Sequence, residues 1–130
     1  MTAPHPLTTE ADLDAAIERS FTTAVVMFKH SETCGASAYA HEEVLALLTA
    51  SNLGAEIYLV SVQRSPAISN AIEKRFRLRH ESPQVLIIRR GVVAWHASHH
   101  RVNSDEVSAA LARTGAALTS VPALADRDKS

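Results

Sequence analysis

The 130-residue chain has a single cysteine, and that scarcity excludes more than any abundance in it. One cysteine rules out an intramolecular disulfide framework, a zinc site built from several thiolates, and a redox protein that cycles its own disulfide within one chain. No apolar run is long enough to span a bilayer. The start, Met1-Thr2-Ala3-Pro4-His5-Pro6, has neither the basic opening nor the apolar core of a signal peptide, so a cytoplasmic location with a reduced thiol is expected. Nor is there an excess of one charge. Thirteen basic against fourteen acidic side chains leave a net charge of -1, which gives no general attraction to phosphate backbones or anionic lipid. Neither a nucleic-acid nor a membrane partner is therefore expected. Internal repeats and low-complexity blocks are absent as well. What is present is an apolar fraction of 46%, that of a globular protein, in a length that suits one domain.

The hydrophobic pattern changes period several times along the chain. Residues 10–20, with Leu13, Ala16 and Ile17 on one side and acids early, predict an amphipathic helix capped by Thr8 or Thr9. Residues 23–29 are short and largely apolar, as in a buried strand. A helix follows over 38–50, with Tyr39, Val44, Leu45, Leu47 and Leu48 on its buried side and Asn52 and Gly54 ending it. Residues 55–62 form a second strand, and Pro66 opens a helix to Phe76 with Ile68, Ile72 and Phe76 along one face. Residues 84–90 and 92–97 flank Gly91 as a β-hairpin. Ser104, Asp105 and Glu106 start a last helix that turns Val107 and Leu111 inward. The order is α-β-α-β-α-β-β-α. It predicts an α/β fold with a mixed four-stranded sheet, the crossover strands parallel and the hairpin antiparallel, and helices on both faces. The domain is expected over residues 1–113, with 114–130 as a frayed C-terminal tail.

Two features bear on chemistry. Cys34 stands where the first predicted strand hands over to a helix, in His30-Ser31-Glu32-Thr33-Cys34-Gly35-Ala36-Ser37. Unpaired N–H groups and the positive dipole end favour a thiolate at such a place, and a cysteine there can titrate at roughly 3.5–7.5 rather than about 8.5. Ser37, one turn on, offers a hydroxyl to that thiolate; being an oxygen it cannot close a disulfide, so exchange would be with an external thiol. The other reading of Cys34 is a small buried hydrophobe. The second feature is Ser82-Pro83 at the entrance to the third predicted strand, where a proline lacking a donor is either a trans strand-breaking turn or a cis peptide. A cis bond would hold the Ser82 backbone open to an extended substrate.

A cysteine opening the first core helix, with a proline entering the third strand, is the layout of the thioredoxin-like fold. More closely, the chain resembles the monothiol bacilliredoxins of that superfamily, over residues 9–113. Their pattern of Phe-Lys-His-Ser, Thr-Cys-Pro-Ile-Ser, Val-Gln with Ser-Asn, His-Glu-Ser-Pro-Gln and Trp-His-Ala-Ser-His is matched in register. Here it reads Phe28-Lys29-His30-Ser31, Thr33-Cys34-Gly35-Ala36-Ser37, Val62-Gln63 with Ser69-Asn70, His80-Glu81-Ser82-Pro83-Gln84 and Trp95-His96-Ala97-Ser98-His99. The family's Pro-Ile pair is Gly35-Ala36 in this chain, which exchanges a pre-ordered first turn for a looser one.

The resemblance implies a thiol-disulfide oxidoreductase with Cys34 as the nucleophile and Thr33, Gly35, Ser37, Ser82 and Pro83 around the thiol and its substrate. It implies that Pro83 is cis and faces the cysteine. The substrates it implies are S-bacillithiolated client proteins, with bacillithiol as co-substrate, a disulfide reductase system as the regenerating partner, and no tightly bound cofactor or metal. Two rival functions carry other expectations. Cys34-Gly35-Ala36-Ser37 is also similar to the Cys-Gly-Phe-Ser site of monothiol glutaredoxins, which hold an iron–sulfur cluster between subunits. A thioredoxin-like module that binds proteins without catalysis would carry a thiol of ordinary reactivity. Of the remaining residues, His96, His99 and His100 read as structural rather than metal-binding. Lys74, Arg75, Arg77 and Arg79 read as the basic end of a helix, and Trp95 and Tyr39 as packing.

Overall fold

The computed structural model describes residues 4–32, 35–47 and 54–119, without the side chains of 36, 37 and 115–119. Its elements are β1 (His5–Pro6), α1 (Glu10–Arg19), β2 (Ala24–His30), α2 (Gly35–Leu47), β3 (Ala55–Ser61), α3 (Pro66–Phe76), β4 (Gln84–Arg89), β5 (Val92–Ser98), a single 3-10 turn over His99–Arg101, and α4 (Ser104–Thr119). The sheet order is β1-β3-β2-β4-β5, with β1, β3 and β2 parallel and β4 and β5 antiparallel.

Local chemistry accounts for the boundaries. Thr9 caps α1 in a reciprocal box: its Oγ1 accepts from the Asp12 N–H at 3.1 Å, and the Asp12 carboxylate accepts from the Thr9 N–H at 3.2 Å. Pro66 occupies the first turn of α3, and Arg77 ends that helix in the left-handed conformation. Asn103 caps α4, its Oδ1 accepting from the Glu106 N–H at 2.9 Å. The hairpin turn places both Arg90 and Gly91 at positive φ, 54° and 80°, the requirement of a two-residue turn that matches strand twist. Ser20 ties that turn to the end of α1, since Arg90 N donates to its carbonyl and Gly91 N to its hydroxyl, at 2.8 and 2.9 Å.

Alternation along the strands sorts the core into two layers. Ala24, Val26, Phe28, Val85, Ile87 and Ala97 face α2 and α4 and pack with Ala40, Val44, Leu47, Val107 and Ala110. Val25, Met27, Val60, Leu86 and Ile88 face α1 and α3 and pack with Leu13, Ala16, Ile17, Ile68 and Ile72. Helices therefore cover both faces, as expected. β2 lies between two partners and under both layers, so its residues from Ala24 to Lys29 are all buried.

Three expectations are corrected. The sheet has five strands rather than four: His5 and Pro6 pair with Tyr58 and Leu59, a contact too short to leave a periodic signal. α4 continues past Arg113 to Thr119; residues 120–130 of the expected tail lie outside the described residues. On α2, Tyr39 is 58% and Leu45 37% exposed, because the sheet selects the i, i+4, i+7 row Ala40, Val44 and Leu47 from a helix with more apolar residues than one face can bury. The predicted helix end at Leu48, Ala50 and Asn52 lies outside the described residues, whereas Gly54 is described at φ 68°. Among the described residues no helix is long and apolar enough to cross a membrane.

Candidate active site

The topology gathers four segments at one end of the sheet. β2 and β3 are parallel, so both finish there; β4 runs the other way and starts there; β5 returns and finishes there. The register shows the same row: His30 opposite Ser61, Lys29 opposite Gln84, and Gln84 opposite Ser98. The rim above this row comprises, among the described residues, 31–32, 62–65, 77–83 and 99–103. Of the site residues named from the sequence, Ser82 and Pro83 belong to it, and Gly35 and the Ser37 backbone to the first turn of α2.

Thr33 and Cys34 themselves, and the Ser37 side chain, lie outside the described residues. Gly35 is the first residue of α2, and beyond its chain neighbours and its own helix backbone no described atom lies within 4 Å of where its Cβ would stand. Ser82 and Pro83 sit at the entrance to β4, joined by a cis peptide, with Pro83 buried. The Pro83 carbonyl accepts from the His99 N–H at 2.9 Å, which fixes the 77–83 segment to the end of β5.

The segment leading to Cys34 is fastened by side chains outside the sequence-derived site. Gln63 bridges it: its Oε1 accepts from the Glu32 N–H at 2.8 Å and its Nε2 donates to the Ser31 Oγ at 2.6 Å. The Glu32 carboxylate takes the Ser61 hydroxyl at 3.0 Å and pairs with Arg64, also at 3.0 Å. Below that segment the rings of Phe28, His30 and His41 form a stack, with 5.0 Å and 27° between the two imidazoles. Burial, and next the neighbouring His41, hold His30 below the ordinary imidazole range. His30, Ser31, Glu32, Ala38 and His41 line a recess of about 300 Å³. It adjoins Cys34 in sequence from both sides, through Glu32 and through Ala38.

A second polar group lies behind the other segment, on the α3 side of the sheet. Lys29 is fully buried, its Nζ donating to the Ser69 carbonyl at 3.4 Å. Burial pulls its ammonium down to about 8, against the attraction of Glu73. The His80 ring meets the Ser69 hydroxyl at 3.3 Å through Nδ1, and its backbone N–H donates to the Glu73 carboxylate, also at 3.3 Å. Gln84 is buried opposite Lys29 and closes the segment by donating from Nε2 to the Arg79 carbonyl at 3.0 Å. None of these five residues was singled out for chemistry from the sequence; Lys29, Ser69, His80 and Gln84 belong to the matched motifs, and Glu73 to none of them. Trp95 is half-buried against the core, with the Arg101 guanidinium 5.8 Å from its ring centre. His99 faces Glu81 at 3.6 Å, and among the described residues no three histidine or carboxylate side chains converge as metal ligands.

Comparison with known proteins agrees with this architecture. A solved structure described as having a thioredoxin fold matches with a TM-score of 0.74 at 28% identity, covering 82% of this chain and 92% of its own. Thioredoxin from Fasciola hepatica matches with a TM-score of 0.69 at 19% identity, over 84% of this chain and 97% of that one. Thioredoxin from Malassezia sympodialis matches at 0.71 and 10%, over 87% and 91%. The fold is thus thioredoxin-like, with a five-stranded mixed sheet. The family model of the monothiol bacilliredoxin BrxC matches residues 5–107, nearly the whole described chain. Within a thioredoxin fold, that match supports a thiol oxidoreductase type of function, and the chain belongs to the monothiol bacilliredoxin family.

Proposed function

We propose that the protein removes bacillithiol from mixed disulfides on protein cysteines, with Cys34 as its nucleophile. The observation that carries the reading is the family match over residues 5–107, which encloses the only cysteine of the chain. The Cys34 thiolate attacks the bacillithiol sulfur of the mixed disulfide. The old S–S bond breaks, the client leaves as a thiolate and takes up a proton, and Cys34 is left bonded to bacillithiol. With no second cysteine in the chain, an external thiol must resolve that bond. A further bacillithiol thiolate attacks the bound bacillithiol sulfur, forming bacillithiol disulfide and freeing Cys34. A disulfide reductase system supplies the two electrons that return the disulfide to thiol.

The surroundings suit these steps. Gly35 starts α2, so Cys34 immediately precedes the helix end whose free N–H groups favour a thiolate. Ser37 lies one turn on and would tune the thiolate, while the Ser82 backbone and Pro83 would receive the substrate chain. The recess lined by His30, Ser31, Glu32, Ala38 and His41 offers room for the part of bacillithiol beyond its sulfur.

Intact mass spectrometry tests the reading. After exposure to oxidised bacillithiol the chain is expected to gain one bacillithiol, in preference to glutathione in a parallel incubation with oxidised glutathione. Cys34→Ala is expected to abolish the addition and the release of client thiol, and Ser37→Ala to change their rates only. Full release activity in Cys34→Ala would overturn the proposal.

A further inference from the structure

A lysine with no exposed surface in the central strand of a sheet is costly unless its charge is answered. Lys29 is such a residue, and the exchange chemistry makes no use of it. Its neighbours have one thing in common: they hold the segment between α3 and β4. Glu73 takes the backbone N–H groups of Arg77 and Leu78 on its carbonyl and that of His80 on its carboxylate. Ser69 joins the His80 ring to Lys29, through its hydroxyl on one side and its carbonyl on the other. Gln84, cross-strand from Lys29, closes the segment on Arg79, while its own Oε1 has no hydrogen-bond partner among the described residues. Lys29, Ser69 and His80 thus meet beside Gln84, the residue that follows Pro83. Buried polar contacts of this kind select one backbone arrangement, since any other leaves charges and donors unanswered away from water.

We infer that Lys29, Ser69, Glu73 and His80 are positioning residues that hold segment 77–83, and with it Ser82 and Pro83, in place for the disulfide partner of Cys34. The inference rests on the exchange function proposed above. The four residues act through the segment and not on the thiol. Their loss therefore slows reactions in which a partner lies along the Ser82 backbone, and spares reactions of the bare thiolate. The groups facing the His80 ring are Lys29, Glu73 and Glu81. Burial and then the Lys29 charge oppose its protonation, and the two carboxylates favour it. Protonation adds a second positive charge beside the Lys29 ammonium, so the segment loosens as the pH falls. Removing the Lys29 charge removes that repulsion and with it the loosening at low pH.

Two reactions of the full-length protein test this across pH 5–9: alkylation of Cys34 by iodoacetamide, and exchange with a synthetic peptide carrying a bacillithiol mixed disulfide. His80→Leu is expected to lower the exchange rate constant about tenfold, as small misplacements of a reacting partner do, with the alkylation profile unchanged. His80→Asn, whose amide can replace the ring Nδ1 contact, is expected to recover most of that loss. Lys29→Met is expected to flatten the acid decline of exchange relative to alkylation. Equal exchange in wild type and His80→Leu would overturn the inference. So would a parallel fall in alkylation and exchange, or an Asn variant as impaired as the Leu variant. A wild type that alkylates but never exchanges would instead overturn the function on which the inference rests.

Discussion

The two loops that meet at the rim are secured by opposite means. The segment before Cys34 is held by Ser31, Glu32, Ser61, Gln63 and Arg64, a net open to solvent in which the Arg64 side chain is 78% exposed. The segment before Pro83 is held by Lys29, Ser69, Glu73, His80 and Gln84, built around an ammonium with no exposure at all. In the first net each contact replaces one with water and contributes little net free energy, so single members are replaceable. In the second, Lys29, Ser69 and Gln84 have given up their hydration while Glu73 and His80 are half-buried, and the gain is a fixed conformation at a cost in stability. A loop that precedes a nucleophile must admit partners; a loop that only presents backbone to them is better held rigid.

That contrast is easiest to break at Lys29. Its ammonium titrates at about 8 in the folded chain against an ordinary 10.5. Between those values the unfolded chain binds a proton that the folded chain does not, so wild-type stability rises with pH across that window. Below about pH 8 the full penalty is present. Lys29→Met is therefore expected to raise unfolding stability by about 2–3 kcal/mol at pH 7, with the advantage shrinking as pH rises toward 10.5. Urea unfolding at pH 7, 9 and 10.5 measures it, and a gain that does not change with pH would mean that the buried charge is not its source. A variant more stable yet slower in exchange would show stability and function drawing on the same residue in opposite directions.

Gln63 gives the next effect. Gln63→Ala removes two hydrogen bonds from the open net and is expected to cost about 1 kcal/mol in urea unfolding, since water enters to replace them. A loss of several kcal/mol would mean that the two nets do not differ in kind. Arg64→Ala is expected to change stability by less than about 0.5 kcal/mol, a difference that added salt erases.

Much of the fold was legible because period and punctuation agreed. α1 with Thr9, α3 with Pro66, and the hairpin around Gly91 each had an apolar pattern and a matching cap or turn residue. Where one of the two was missing, the reading slipped. β1 has no pattern of its own, because two residues owe their strand character entirely to Tyr58 and Leu59 beside them. α2 has too many apolar residues, so period alone could not prefer Ala40 over Tyr39 or Leu45. The candidate site divides in the same way. The positions of Gly35 at the start of α2 and of Pro83 before β4 are local facts that a sequence displays. That Lys29 touches Ser69, forty positions away, is a matter of strand register and helix docking, which no local pattern encodes. Lys29 looked like the polar end of an apolar strand, and its depth became visible only once α3 was in place.

The shortest strand has a consequence for solubility. Leu7 and Pro6 alternate in direction on the outer edge of the sheet: the Leu7 N–H turns inward to the Leu59 carbonyl at 2.8 Å, so the ring nitrogen of Pro6, which carries no hydrogen, faces outward. A second chain seeking to extend the sheet at β1 meets a missing donor at its first step. Two residues thus shield β3 from polymerisation, while β5 is the other edge of the sheet among the described residues.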